Sequence, residues 1–215
     1  MNKNLLRLGI LATPWWVLTM LLFGELQAGY SHLYHAASEL GAFGASNPLA
    51  MNVLCFFLTG AFVASAGLGF MKYLQSRGES RAAGWWVFIL GAMLAGAAVP
   101  ADMEQKFQSP WTLVHAFFVL LGVLPFLIAA WKSNSVLKRL GERSKFLNYF
   151  PWLIIPTFLL HGFLNQGGLV QRLTILLVLL WVGALSWHLL KLLDSRNQAL
   201  NSQAPLAGAT QSSAQ

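Results

Sequence analysis

Charge is what this chain has least of. Only 10% of its 215 residues are Asp, Glu, Lys or Arg, and just 7 are acidic, where soluble domains carry about 25% charged residues. Such a chain cannot cover a water-facing globule of this size, and its 56% hydrophobic content points to lipid as the main solvent. Cysteine is nearly absent too. Cys55 stands alone, so no intrachain disulfide can form and thiols say nothing about compartment. No internal repeat marks a duplicated transporter fold. No basic run is interleaved with aromatics, so the net charge of +7 does not point to nucleic acid. In a lipid-solvated chain, basic excess marks cytoplasmic loops.

What is present is a series of apolar runs, several near the ~20 residues needed to cross a bilayer. They predict an all-α, polytopic six-transmembrane-helix bundle with spans at about 8–27, 48–74, 84–101, 110–131, 146–164 and 169–193. The basic, apolar start could also be read as a cleaved signal peptide. Its length, Pro14-Trp15-Trp16 and the lack of a small-x-small site favour a retained span. Ser46-Asn47-Pro48 and Ser109-Pro110 read as helix starts. Pro125 predicts a kink, and Pro151 and Pro156 predict backbone carbonyls in need of other partners. Small residues at helical spacing, Ala61, Ser65 and Gly69 in the second span and Ala92 and Gly96 in the third, predict close helix approach. Trp15, Trp16, Trp85, Trp86, Trp111 and Trp152 read as interfacial anchors. Residues 194–215, rich in Ser, Gln and Ala, predict a disordered tail.

Lys and Arg set the orientation. Lys3, Arg7, Lys72, Arg77, Arg81, Lys132, Lys138, Arg139, Arg143, Lys145, Lys191 and Arg196 fall on one side, leaving only Lys106 and Arg172 for the other. Both termini are therefore expected in the cytoplasm, and loops 28–47, 102–109 and 165–168 outside it.

This topology gathers Glu25, His32, His35, Glu39, Asp102, Glu104, His115 and His161 toward the outer side. Each has an ordinary reading: solvated loop charges, a solvated helical face for the His32/His35 pair, and, for His115 and His161, imidazoles bonded to backbone. Together they also admit a metal centre. His115, His161 and Asp102 with His32 or His35 have the make-up of catalytic zinc, with Ser31 or Ser38 orienting an oxyanion and Glu39 moving protons. The spacing is not diagnostic, because His32-x-x-His35 lacks the His-Glu-x-x-His context.

Ser31-His32, Ser38-Glu39-Leu40-Gly41, Asn52, Pro100-x-Asp102 and His115 occur in that order. In this the chain resembles the multipass membrane family catalogued as domain of unknown function 998, over about Leu8–Leu193. The resemblance implies a six-helix bundle in a prokaryotic membrane, here a bacterial inner membrane, and no particular activity. A fainter similarity, to the alkaline ceramidase and adiponectin-receptor-like superfamily of zinc hydrolases, implies Ser31, Asp102, His115 and His161 as counterparts in kind. Six spans instead of seven, and Asn165 where a paired histidine would follow His161, depart from that pattern. The favoured expectation is a non-catalytic protein with an outward-facing polar pocket that binds membrane lipid or a protein partner not named by the sequence. A metal-dependent hydrolase of lipid-like substrates and a transporter component remain open beside it.

Overall fold

The computed structural model describes residues 3–160 and 167–203. These are 80% helix, with no strand among them. Four stretches are long and apolar enough to cross a membrane: α1 (Asn4–Leu26), Pro48–Ser76, Pro110–Arg139, and Gly167–Ala199 within the last helix. The second comprises α2 (Pro48–Met51), a π-helical turn (Asn52–Phe57) and α3 (Leu58–Ser76). α4 (Ala82–Gly96) is apolar but has 15 residues. Pro110–Arg139 divides into α5 (Pro110–Leu121) and α6 (Val123–Arg139). Then follow α7 (Lys145–Tyr149), a 3-10 turn (Phe150–Leu153), α8 (Ile154–Leu160) and α9 (Gly167–Gln203). Thus four of the six expected spans stand as single stretches, while the third and fifth correspond to α4 and to the broken α7–α8 segment. α4 ends at Gly96, short of the expected 101, and α9 continues ten residues beyond 193. The start of the expected tail is helical, for Leu193 is buried and Asp194 pairs with Lys3.

Proline places the breaks. An amide at position 125 would bond the carbonyl of Leu121; without it the helix parts at Gly122, between α5 and α6. Pro151 likewise cannot reach the Leu147 carbonyl, which instead accepts a hydrogen bond of 3.2 Å from Trp181 Nε1 of α9. The expected partner for a freed backbone group is therefore a tryptophan on a neighbouring helix.

The segments follow one another around a ring: α1 packs on α3, α3 on α4, α4 on α6, the α7–α8 segment on α6 and α9, and α9 again on α1. Its core holds Leu6, Met20, Phe70, Phe126, Trp181 and Leu189. Trp16, expected as an interfacial anchor, is buried in this core at 3% exposure. The tightest seam joins α3 and α4, but not through the expected stripe. A Cβ on Gly91 would meet Ala64 N at 2.2 Å, and one on Gly60 would meet Ala95 N at 2.3 Å. Gly67 and Gly84 approach each other's helices in the same way. Gly69 instead faces Leu6 of α1, and Gly96 faces Phe118 of α5. The contact face lies one residue, or about 100° of helix rotation, from the one read off the spacing.

Interactions between distant segments collect at two ends of the ring. At one, Lys3 pairs with Asp194, and Arg139 donates to Glu79 at 2.8 Å. This contact holds the Glu79 carboxyl below the ordinary carboxylate range. At the other, Phe43 N donates to Ala101 O and Leu169 N to Leu33 O. The candidate site lies at this second end.

Candidate functional site: an apolar cavity beneath a clamped loop

The loop between α1 and α2 is held down by the start of α9. Arg172 is 8% exposed, and its Nη1 donates to the carbonyls of His32 (2.8 Å), His35 (2.9 Å) and Gly168 (2.8 Å). Its Nη2 donates to the Tyr30 hydroxyl, and the guanidinium lies 5.5 Å from the Tyr30 ring centroid. The planar fork serves the carbonyls through one nitrogen and the Tyr30 hydroxyl through another, whereas a lysine ammonium has a single nitrogen for all of them. Burial pushes the Tyr30 hydroxyl above its usual pKa, with the neighbouring Arg172 charge opposing the shift. The Tyr30 hydroxyl in turn donates to Ala36 O at 3.0 Å. One residue before Arg172, Gln171 Oε1 accepts from Ala37 N at 2.7 Å.

These bonds orient a short 3-10 helix, Ala37–Gly41. Glu39 secures its start by accepting from Ala36 N at 2.7 Å. Leu40 is buried, and Gly41 lies so close to Asn52 that a Cβ there would fall 2.0 Å from Asn52 Oδ1. Asn52 Nδ2 donates to Gly41 O at 2.8 Å from the π-helical turn. Within the Ser-Glu-Leu-Gly element, Glu39, Leu40 and Gly41 thus each fix the turn to something different.

Successive residues of this turn serve different hollows. Ser38 lines a cavity of about 160 Å³ bounded by α4, α5, α6, α8 and α9, roughly ten times the ~15 Å³ one water centre needs. Gln171, Thr174 and His115 line it with Ser38. Deeper lining comes from Leu90, Met93, Phe118, Ile175 and Val178. From Gln171 to Val178 the depth is ~10 Å at 1.5 Å per helical residue. Glu39 instead borders a polar surface hollow of about 200 Å³, with Gln27, Tyr30, His35 and Met103.

The sequence-derived site residues are placed as follows. His115, 8% exposed, has Nδ1 at 2.9 Å from Val99 O, and the Phe56 ring meets it edge-on. His32 lies back on α1, its ring against Gly24 and T-shaped to Tyr30, with Nε2 buried and unpartnered. Burial, then the Arg172 charge, lowers the His32 pKa. His35 Nδ1 accepts from Ser31 N at 2.9 Å, so its neutral ring carries the proton on Nε2. Asp102 Oδ1 caps the turn after it, accepting from Glu104 N and Gln105 N. His161 lies outside the described residues, as do Asn165 and Gln166.

Among the described residues no three His, Cys, Asp or Glu side chains form a group that could hold a metal ion. Of the expected zinc set of His115, His161 and Asp102 with His32 or His35, the members among the described residues therefore form no such group. His32 and His35 are turned toward α1 and Tyr30, and Asp102 toward its own turn. Glu39 is likewise committed to Ala36 N, and the Ser31 backbone N donates to His35. Ser38 and His115 share the cavity wall without a hydrogen bond between them among those recorded. What this arrangement can do is bind: an apolar shaft with uncharged polar groups at one end.

Sequence reasoning missed Arg172, Tyr30, Gln171 and Ser38's place in the cavity. A signal existed for Arg172 alone, as one of two basic residues on the side otherwise free of them.

The class is an all-helical protein of membrane type, with a pocket under a fixed loop. The chain belongs to the family described as "Protein of unknown function (DUF998)", whose model matches residues 10–188. No curated protein and no solved structure matches it.

Proposed function

We propose that this protein is a bundle of six membrane-spanning segments that binds a lipid-like amphiphile from the outer leaflet, without catalysis. The observation that carries it is the cavity. It is partly open along the exposed Val119 and Leu120, and its shaft of Leu, Met, Phe, Ile and Val is suited to an acyl chain. Ser38, Gln171 and His115 at one end suit the chain's polar head. Binding sites commonly combine such apolar walls with few polar groups.

The six-span reading is supported by the two ends of the ring. Segments α1, α2–α3, α4, α5–α6, α7–α8 and α9 each run between an end bearing Lys3, Glu79, Arg139 and Asp194 and an end bearing Phe43, Ala101 and Leu169. The first end carries most of the Lys and Arg, which supports cytoplasmic termini in a bacterial inner membrane, with loops 28–47, 102–109 and 165–168 outside. Residues 1–193 then make the membrane domain, with 194–215 a cytoplasmic extension.

The test is lipid retention. Purified from native membranes into polymer-bounded bilayer discs and then washed with detergent, the protein should keep a lipid that mass spectrometry detects. Ile175→Trp, which fills the cavity, should lose it. A wild-type protein that keeps no lipid, or an Ile175→Trp protein that keeps as much, would overturn the reading.

A further inference from the structure

The polar end of the cavity has a particular chemistry: it can hydrogen-bond, but carries no fixed charge. Among the described lining residues none is Asp, Glu, Lys or Arg. Gln171 spends its carbonyl oxygen on Ala37 N, which leaves the amide NH2 as a donor. The Val99 carbonyl can only accept, so His115 donates to it through Nδ1. In its neutral form the ring then has an unprotonated Nε2, an acceptor, with the Ala97 carbonyl also near the ring. Ser38 adds a hydroxyl that can donate or accept. Thr174 adds little, since its hydroxyl already donates to Val170 O at 2.9 Å.

The nearby charges are committed elsewhere. Arg172 follows Gln171 directly, yet it is not part of the lining; its Nη1 and Nη2 go to the His32, His35 and Gly168 carbonyls and Tyr30, and its Nε is buried without a partner. Glu39 borders the other hollow and ties down Ala36 N. Asp102 caps its own turn. A phosphate or ammonium head at the mouth would lose hydration without meeting an opposite charge, at a cost of several kcal/mol. A hydroxyl would lose much less, and could donate to His115 Nε2 while accepting from Gln171 or Ser38.

Resting on the lipid-binding reading above, we infer that the occupant is an uncharged, hydroxyl-headed amphiphile of the acylglycerol or fatty-alcohol kind, and not a phospholipid. Ser38, Gln171 and His115 set that choice, and the apolar shaft accepts the chain.

Two probes with identical chains test it on the full-length protein in maltoside detergent: 1,2-dioctanoylglycerol and 1,2-dioctanoyl phosphatidic acid, with binding read by native mass spectrometry. The glycerol-headed probe should bind about tenfold or more tightly than the phosphate-headed one. Gln171→Glu keeps the acceptor for Ala37 N but replaces the donor with a carboxylate, and should weaken the glycerol-headed probe about tenfold. Ser38→Ala should weaken it by a smaller factor. The wild-type comparison stands even if a variant fails to fold. Equal or tighter binding of phosphatidic acid, abolished by Ile175→Trp, would overturn the uncharged-head inference and leave the lipid-binding reading in place. Binding of neither probe to the wild type, or binding unaffected by Ile175→Trp, would overturn both.

Discussion

Arg172 is the single side chain on which the most of the outer loop depends. It reaches two carbonyls and a hydroxyl of the α1–α2 loop, 137 to 142 residues away, and the Gly168 carbonyl one turn back in its own helix. It does so nearly excluded from water, where an unsatisfied carbonyl costs about 1–3 kcal/mol. Arg172→Lys keeps the charge but not the planar fork, and should destabilise the protein by about 2–4 kcal/mol. A lowered melting temperature in detergent, with new protease cleavage in the loop around Tyr34, is the expected result; an unchanged melt would show that the loop is held otherwise. His32 beside it makes stability depend on pH. Burial and then Arg172 lower its pKa, with Glu25 opposing, so below the ordinary value of 6.5 the unfolded chain takes up a proton that the folded chain resists. Stability contributed by the neutral ring is therefore full above about pH 7 and falls as pH drops through 6.5, levelling off below the folded-state pKa. Melting temperatures measured from pH 8 to 5 should fall for the wild type and fall less for His32→Gln.

At the scale of the element, the decisive seam is α3 against α4. Small residues allow backbones to touch where lipid supplies no hydrophobic drive toward association. Gly91→Val would place carbon atoms onto Ala64 N and Gly60 O, 2.2 and 2.6 Å from the Cβ position, and both are backbone atoms that cannot swing away. A loss of about 2 kcal/mol is expected. Ala92→Val, one residue on and on the exposed side, should be tolerated, because it faces out of the seam. Comparable unfolding curves for the two variants would refute this placement of the contact. The broken elements obey the same backbone rule: the α5–α6 joint lies where Pro125 leaves Leu121 unbonded, and Trp181 serves the carbonyl that Pro151 cannot.

At the scale of the whole molecule, the proposed orientation predicts which loops are reachable from outside the cell. Cys55 is fully buried, so single cysteines can be introduced without removing it. Ser46→Cys, on the exposed outer loop, should react with a membrane-impermeant maleimide in intact cells. Ser80→Cys, between α3 and α4, should react only after permeabilisation. The opposite pattern would invert the proposed topology. The ring also explains why the cavity lies where it does: α5 and α8 are set off from their neighbours by breaks, and the space between them and α4 and α9 is closed above by Ser38.

Much of this was legible in the residues themselves. Apolar length marked the four long stretches, proline marked the breaks, and Ser38-Glu39-Leu40-Gly41 with Asn52 marked the turn and the family, because each depends on local chemistry or short spacing. The contact face of α3 and α4 was misjudged by one residue, since several small-residue stripes coexist on a helix and only the partner chooses among them. Among the described residues the expected metal ligands do not form a group, for a related reason. Topology put His32, His35, Asp102 and His115 at one end, but which way each ring or carboxylate turns depends on Gly24, Ser31, Val99 and the local amides. Arg172 and Gln171 became partners of the loop only when α9 packed beside α1. Composition and pattern alone determined that this chain is helical and at home in lipid. Only the tertiary structure decided which polar groups serve the loop and which face the cavity, because hydrogen-bond direction is set by neighbours that are distant in sequence.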